Sequence, residues 1–395
     1  MISPFRIGRF PRIEFGSGCI AGLPQTAARY GNRTLLVTGV HSLQTSPTWE
    51  PLQAGLRNAG IHCTQLTVSH EPSPQLVDTA VGEYCTAGID VVIAIGGGSV
   101  LDAAKAIAGL LRSGDPVMDY LEGVGPEKPY QGPAVPLIAV PTTAGTGSEA
   151  TRNAVLSVQG ENGFKKSFRD EQLVPALALV DPDLLATCPP ARVAANGMDA
   201  LTQLIESYVS TGANRMSEAL ALDGIRAARD SLVSLYADPA GDAGAREGMA
   251  YAALVSGITL AQTGLGSVHG LAAPLGAGFP IPHGVVCGSL MATATRINIR
   301  AMREREPENP ALDKYARISE VLHRQSIPDQ ETAGNLLVKL LEDWTRYLQI
   351  PVLGAYGIET PDFATIVAGS RGSSMKTNPV VLTDDEITEI LQHCL

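Results

Sequence analysis

The chain has 395 residues, 45% hydrophobic and 17% charged, more apolar content than one core needs, so it reads as a two-domain globular protein and not as a disordered or fibrous one. Its 29 Lys and Arg against 40 Asp and Glu give a net charge of −11, the wrong sign for a nucleic-acid binder, and no basic stripe offsets it. No apolar stretch approaches the roughly 20 residues of a membrane helix, and Met1-Ile2-Ser3-Pro4-Phe5-Arg6 lacks the basic and long apolar parts of a secretory signal.

Taken in order, the first half alternates short apolar runs with helix-like segments. Thr34 to Thr38, Val91 to Ile95, Leu137 to Val140 and Ala176 to Val180 are apolar on both faces, as a parallel strand covered by helices on both sides requires. Pro51 to Gly60 and Pro74 to Gly88 have helical spacing between them. This β/α alternation predicts a doubly wound, mostly parallel, Rossmann-like sheet. After Asp181 the strand-like runs stop, and Cys188-Pro189-Pro190 marks a boundary because two prolines fit inside neither regular element. The expected domains are therefore 1–188 and 189–395, the second all-α. Helical spacing is expected over Asn196 to Ser210, Met216 to Leu235, Ala243 to Gly257, Asp313 to His323 and Ala333 to Leu348. A ligand cleft is expected at the seam. The six cysteines, at 19, 63, 85, 188, 287 and 394, form no CxxC pair and are too sparse for a disulfide framework, which points to a reducing cytoplasm.

Forty-one glycines with 5% aromatics suit a protein that brings backbone close to a ligand at several turns. Gly96-Gly97-Gly98-Ser99-Val100-Leu101-Asp102 follows a buried strand and opens a helix, so bare N–H groups backed by the helix dipole can meet a pyrophosphate. A tight turn capped by Ser99, with Asp102 three residues on, explains the same residues. Pro141-Thr142-Thr143-Ala144-Gly145-Thr146-Gly147-Ser148-Glu149 follows the next buried strand and supplies hydroxyls and amides for a ribose or phosphate, or forms a solvated turn. Both loops lie at the carboxyl ends of strands, where open α/β sheets bind ligands. Gly39 ends an early strand at the place where an acidic residue often holds the 2′-OH of NAD, so for a dinucleotide it favours NADP over NAD; Arg33 and His41 lie nearby in sequence.

Asn196, read as a cap, opens a segment in which Leu201, Leu204, Ile205 and Tyr208 share an apolar face. Asp199 and Gln203 share another face one turn apart, either as two metal ligands or as a solvated polar face. Of seven histidines, His269 and His283 lie fourteen residues apart in a glycine- and proline-rich stretch placed between helices.

From Phe15-Gly16-Ser17-Gly18, through the GGGS and PTTAGTGSE loops, Gly197-Met198-Asp199-Ala200-Leu201 and the two-histidine stretch, to Asn378-Pro379, the chain resembles the iron-containing, or group III metal-dependent, alcohol dehydrogenases. Four motifs in the right order over essentially the whole length make the resemblance specific. It implies an N-terminal dinucleotide domain, a C-terminal helical domain and, in the cleft, a divalent metal (Fe²⁺ or Zn²⁺). The family's ligands are an Asp, a His one turn on and two later His. Asp199, His269 and His283 match and would act through the metal; the second ligand is Gln203 here, a neutral and weaker donor, so affinity is expected to fall or metal preference to shift. Many members carry a further histidine, linked to proton relay, where this chain has Ala273, which cannot transfer a proton.

For NADP or NAD the resemblance carries over Gly97, Gly98, Ser99 and Asp102, then Thr142, Thr143 and Thr146, then Thr151, Asn153 and Lys165, with Lys166 one register away. Ser73 matches a loop near the adenosine only weakly. The activity implied is hydride transfer between the nicotinamide and a small alcohol or aldehyde, with the substrate oxygen polarised at the metal, in a homodimer without nucleic-acid or membrane partners. Three alternatives remain: the glycerol dehydrogenase and dehydroquinate synthase group, a maleylacetate-type oxo-acid reductase, and a dinucleotide-binding protein whose metal site has degenerated. Leu265, Val268 and Phe279 either shape a substrate pocket or pack in the core.

Overall fold

The computed structural model describes residues 4–160 and 163–395; the first three residues of the N-terminal segment read above lie outside them. Six strands, β1 (Arg12–Phe15), β2 (Arg33–Gly39), β3 (His62–Val68), β4 (Val91–Gly96), β5 (Leu137–Pro141) and β8 (Leu177–Val180), form a sheet in the order β1-β8-β5-β4-β2-β3, every pair parallel. Strands β6 (Asn153–Val158) and β7 (Phe164–Arg169) make a separate antiparallel hairpin. Helices α1 (Leu23–Ala27), α2 (Trp49–Asn58), α3 (Pro74–Tyr84) and α4 (Gly98–Leu110) connect the strands. Period-two alternation sends Val92 and Ala94 of β4 to one core and Val91, Ile93 and Ile95 to another on the opposite face. This is the doubly wound sheet that the apolar runs predict. The chain leaves β2 toward β3 on one side and reaches β5 from β4 on the other, so the neighbouring ends of β2 and β4 flank the switch point.

Two strands of the six-stranded sheet escaped the periodicity argument, and both lie at its edges. Most side chains of β3 are exposed, and β1 is half-exposed throughout, so neither displays the doubly apolar run of an interior strand.

The rest of the chain is helical: α5 (Pro190–Val209), α6 (Arg215–Ala237), α7 (Ala243–Thr263), α8 (Ser267–Gly278), α9 (His283–Arg305), α10 (Ala311–His323), α11 (Gln330–Tyr347), α12 (Phe363–Gly369) and α13 (Asp384–His393). Their apolar faces form one core. Three local expectations are corrected. Pro190 sits at the first position of α5, where a missing N–H costs nothing. Asn196 therefore lies inside that helix and caps nothing. The two-histidine stretch is not a connection between helices: His269 lies in α8, which accommodates Pro274, and His283 begins α9. Among the described residues no helix is long and apolar enough to cross a membrane.

Candidate functional site

Between the carboxyl edge of the sheet and the helical domain lies a cleft of about 1890 Å³, and every residue expected to hold cofactor or metal lines it. On the sheet side the two glycine loops touch. A Cβ on Gly98 would lie 2.8 Å from Thr146, and one on Gly97 would lie 3.3 Å from Thr143. Gly147, at φ +59°, turns the second loop against Gly257 of α7, where a side chain would strike backbone at 2.4 Å. These glycines let one loop lie on the other and the second lie on the helical domain.

Ser99 does not cap α4. Gly97 occupies the cap position and no side chain accepts from the first turn, which leaves that helix end facing the cleft without a carboxylate of its own. The Ser99 hydroxyl instead lies 3.3 Å from Glu71, and Glu71 pairs with Lys165 at 3.0 Å. Burial works against the Glu71 carboxylate, but Lys165, helped by His283 and the Ser99 hydroxyl, holds the group below the usual range. Lys165 is mostly buried over the cleft, whereas Lys166 reaches toward Gly123. Ser73 is the N-cap of α3, accepting from Leu76 N at 3.2 Å.

Asp102, Thr151 and Asn153 join behind the loops around Lys105, which is fully buried. Its ammonium lies 3.2 Å from Asp102, donates to Thr151 Oγ1 at 2.8 Å and also reaches the Asn153 carbonyl. Asp102 accepts from the Ser148 hydroxyl and from Val155 N. The knot ties α4 to the second loop and to β6. Arg33 starts β2, at the end of the strand away from the cleft, and is paired with Asp90.

On the helical side, α5 presents Asp199, Gln203 and Glu206 in successive turns, all buried. This row is not a solvated face: it meets His269 and His283. Asp199 Oδ1 lies 3.3 Å from His269 Nε2 and 3.7 Å from His283 Nε2. Cys287, one turn after His283 on α9, places its sulfur 3.7 Å from His269 Nε2 and 3.8 Å from His283 Nε2. Donor atoms of Asp199, His269, His283 and Cys287 all lie within 4.8 Å of one another.

Other residues, missed by the sequence argument, aim these donors. Glu206 Oε2 lies 2.6 Å from His269 Nδ1 while its Oε1 accepts from Val268 N at 2.7 Å, fixing the ring with Nε2 toward Asp199. Asn378 accepts from Ser267 N at 3.0 Å, so the Asn-Pro motif near the end of the chain holds the start of α8. Gly284 packs α9 onto α5, where a Cβ would lie 2.3 Å from the Ala195 carbonyl. Glu206 and Cys287 stand at helical spacings from Asp199 and His283, a signal that gains meaning only once the helices and what they face are known.

Burial disfavours the Asp199 carboxylate, yet the facing imidazoles hold it below the usual carboxylate range. Burial lowers His283 to about 4, against the pull of Asp199, and raises the Cys287 thiol to about 12. Among the described residues His283 Nδ1 is buried without a partner. One carboxylate, two imidazoles and a thiol crowded at one point form a donor set suited to a divalent cation. Leu265 lines the cleft, Val268 is core, and Phe279 packs against the core.

Both halves of the chain are similar to known proteins. Residues 11–182 match the family model described as iron-containing alcohol dehydrogenase, and residues 193–395 its C-terminal counterpart. Alcohol dehydrogenase 4 of Saccharomyces cerevisiae is 35% identical over 330 residues, 82% of this chain and 81% of the relative. Lactaldehyde reductase of Escherichia coli is 35% identical over 287 residues, 72% of this chain and 73% of the relative. The crystal structure of a mutant archaeal halo-thermophilic alcohol dehydrogenase from a Red Sea brine pool superposes with a TM-score of 0.91 at 27% identity, covering 100% of this chain and 99% of that one. With both halves of the chain matched and the fold shared from end to end, the chain belongs to the iron-containing alcohol dehydrogenase family of oxidoreductases.

Proposed function

We propose that the protein interconverts a small aldehyde and its alcohol with a nicotinamide dinucleotide, NADP favoured over NAD, at a site that holds a divalent metal. The observation that supports this reading is the meeting in one cleft of two strand-end loops with the buried Asp199, His269 and His283. Those three side chains hold the metal, which supplies a Lewis acid for the substrate oxygen. The bare backbone of Gly97 and Gly98 and the end of α4 receive the pyrophosphate. Thr142, Thr143 and Thr146 orient the dinucleotide through hydroxyls that line the same wall. Asp102, Thr151 and Asn153 hold those loops in place through Lys105, and Lys165, braced by Glu71, covers the side of the cleft near His283. Ala273 lines the cleft without an exchangeable proton, so the alcohol proton leaves through water, the cofactor ribose or another side chain. The relative named lactaldehyde reductase supports a small aldehyde as substrate.

The preference for NADP rests on Gly39. A Cβ there would meet nothing nearer than Val100 at 3.9 Å, so packing does not require glycine, and its effect is to keep a side chain out of the cleft. His41, Ser42, Ser69 and His70 follow the paired ends of β2 and β3 and line the cleft, and the carboxylate next in the chain, Glu71, is paired with Lys165, which suits a 2′-phosphate.

The test combines metal analysis with oxidation of NADPH and NADH against a panel of small aldehydes. NADPH is expected to be the better cofactor, chelation to stop turnover, and Gly39→Asp to reverse the preference. A preference of the unaltered protein for NADH would overturn the assignment of NADP, and turnover unaffected by chelation would overturn the role of the metal. Dinucleotide binding with no turnover under any metal would favour a binding protein with a degenerate site.

A further inference from the structure

We infer that Cys287, not Gln203, supplies the fourth donor to the metal, so that the site is a carboxylate, two imidazoles and a thiolate. This rests on the proposed metal site and specifies its chemistry. Bond lengths of about 2.0–2.1 Å to nitrogen or oxygen and about 2.3 Å to sulfur make the edges of a tetrahedral ligand set about 3.3–3.6 Å long. Four of the six edges here are 3.3 Å from Asp199 Oδ1 to His269 Nε2, 3.7 Å from Asp199 Oδ1 to His283 Nε2, and 3.7 and 3.8 Å from the Cys287 sulfur to the two imidazole nitrogens, and the other two are no longer than 4.8 Å. The four donors therefore form a cluster whose measured edges exceed those of a tetrahedral ligand set by no more than about 0.3 Å.

Gln203 is occupied elsewhere. Its Nε2 donates to Asp199 Oδ1 at 3.0 Å, and its Oε1 accepts from the Ser256 hydroxyl at 2.7 Å. Turned over, the amide would set its oxygen against the carboxylate oxygen, so the orientation that satisfies both ends points the carbonyl at Ser256. Gln203 thus orients Asp199. The sulfur of Cys287 also behaves unlike those of other cysteines in the chain. Cys19 and Cys394 each donate to a backbone carbonyl, at 3.5 and 3.3 Å, whereas the fully buried Cys287 faces the two imidazole nitrogens and the Asp199 carboxylate. Coordination removes the thiol proton to solvent. A thiolate beside two imidazoles favours zinc over harder ions such as magnesium or manganese.

Cobalt(II) titrated into chelator-stripped full-length protein tests the assignment, because a thiolate bonded to cobalt gives a charge-transfer band in the near ultraviolet that nitrogen and oxygen ligands do not. The unaltered protein is expected to bind one cobalt with this band. Cys287→Ser should abolish the band, and Gln203→Ala should keep it while weakening binding by about tenfold, as loss of an orienting partner does. Competition against a zinc indicator should show a larger loss for Cys287→Ser than for Gln203→Ala, with dinucleotide binding as the control for folding. Stoichiometric cobalt without the band in the unaltered protein overturns the thiolate and leaves the metal reading intact, even if neither variant folds. No cobalt bound overturns both.

Discussion

On the sheet side of the cleft, the groups offered to a ligand are backbone amides and short hydroxyls carried on loops. On the helical side they are buried side chains carried on α5, α8 and α9, with Asp199 and His269 each held by a second residue, Gln203 and Glu206. The first wall depends on what is missing, since its glycines let Thr143 and Thr146 lie against the GGG turn. The second depends on what is present, since a carboxylate or imidazole buried at that depth is tolerable only with partners. Changes to the two walls should therefore fail in different ways. Asp199→Ala, which removes the oxygen shared by both imidazoles, is expected to abolish metal retention and turnover while dinucleotide affinity stays the same. Metal analysis and fluorescence titration of NADPH check both halves. Stoichiometric metal in this variant would place the ion elsewhere.

The residues behind the ligands should matter next. Glu206→Gln keeps the shape of the contact with His269 but removes its charge, and metal affinity is expected to fall by about 10–100-fold. Equal affinity would mean that Glu206 serves α8 only through Val268 N. On the opposite wall, Gly98→Val would drive a side chain into Thr146, 2.8 Å from where the Cβ must go. The loops must part, so dinucleotide binding is expected to weaken by about tenfold, or about 1.4 kcal/mol, with metal content unchanged. A variant that lost its metal instead would show that the walls are not independent.

The same contrast explains what could be read from the chain alone. Val91 to Ile95 and Leu137 to Val140 are apolar on both faces and end in glycine- or threonine-rich loops, so strand, loop and ligand edge are all visible in one run of residues. Asp199 and Gln203 stand at a helical spacing that is equally visible, but spacing does not reveal whether a face is dry, and theirs is. Cys287 was out of reach for a different reason. Helices α8 and α9 are buried on nearly every side, so their sequences lack the one-sided periodicity that marks a helix. Without α9 the interval from His283 to Cys287 has no geometric meaning. Glu206 and Asn378 act through backbone N–H groups at the start of α8, a relation between distant segments that no local pattern encodes.

The smallest effect expected concerns a charge behind the dinucleotide wall. Glu149, in the second loop, is buried, and burial lifts its carboxyl to about 7 against the pull of Lys105. An unfolded chain would release this proton near 4.5, whereas the folded protein retains it until about 7. Between those values the unfolded state binds fewer protons, so this group lowers stability progressively as pH rises through the interval. Glu149→Gln removes the titration. The variant should match the parent near pH 4.5 and exceed it by about 1–3 kcal/mol above pH 7, read from urea midpoints at the two pH values. Asp102, at 3.2 Å, remains as the partner of Lys105 in the variant, so the ammonium is not left alone when the second carboxyl is neutralised. If the variant is instead less stable than the parent at high pH, Glu149 is ionised in the folded protein and Lys105 needs both carboxylates. The wall that offers its ligand no buried charge would then rest on a fully ionised triad one layer behind it, and the difference between the two walls would lie in the depth of their charges, not in whether they have any.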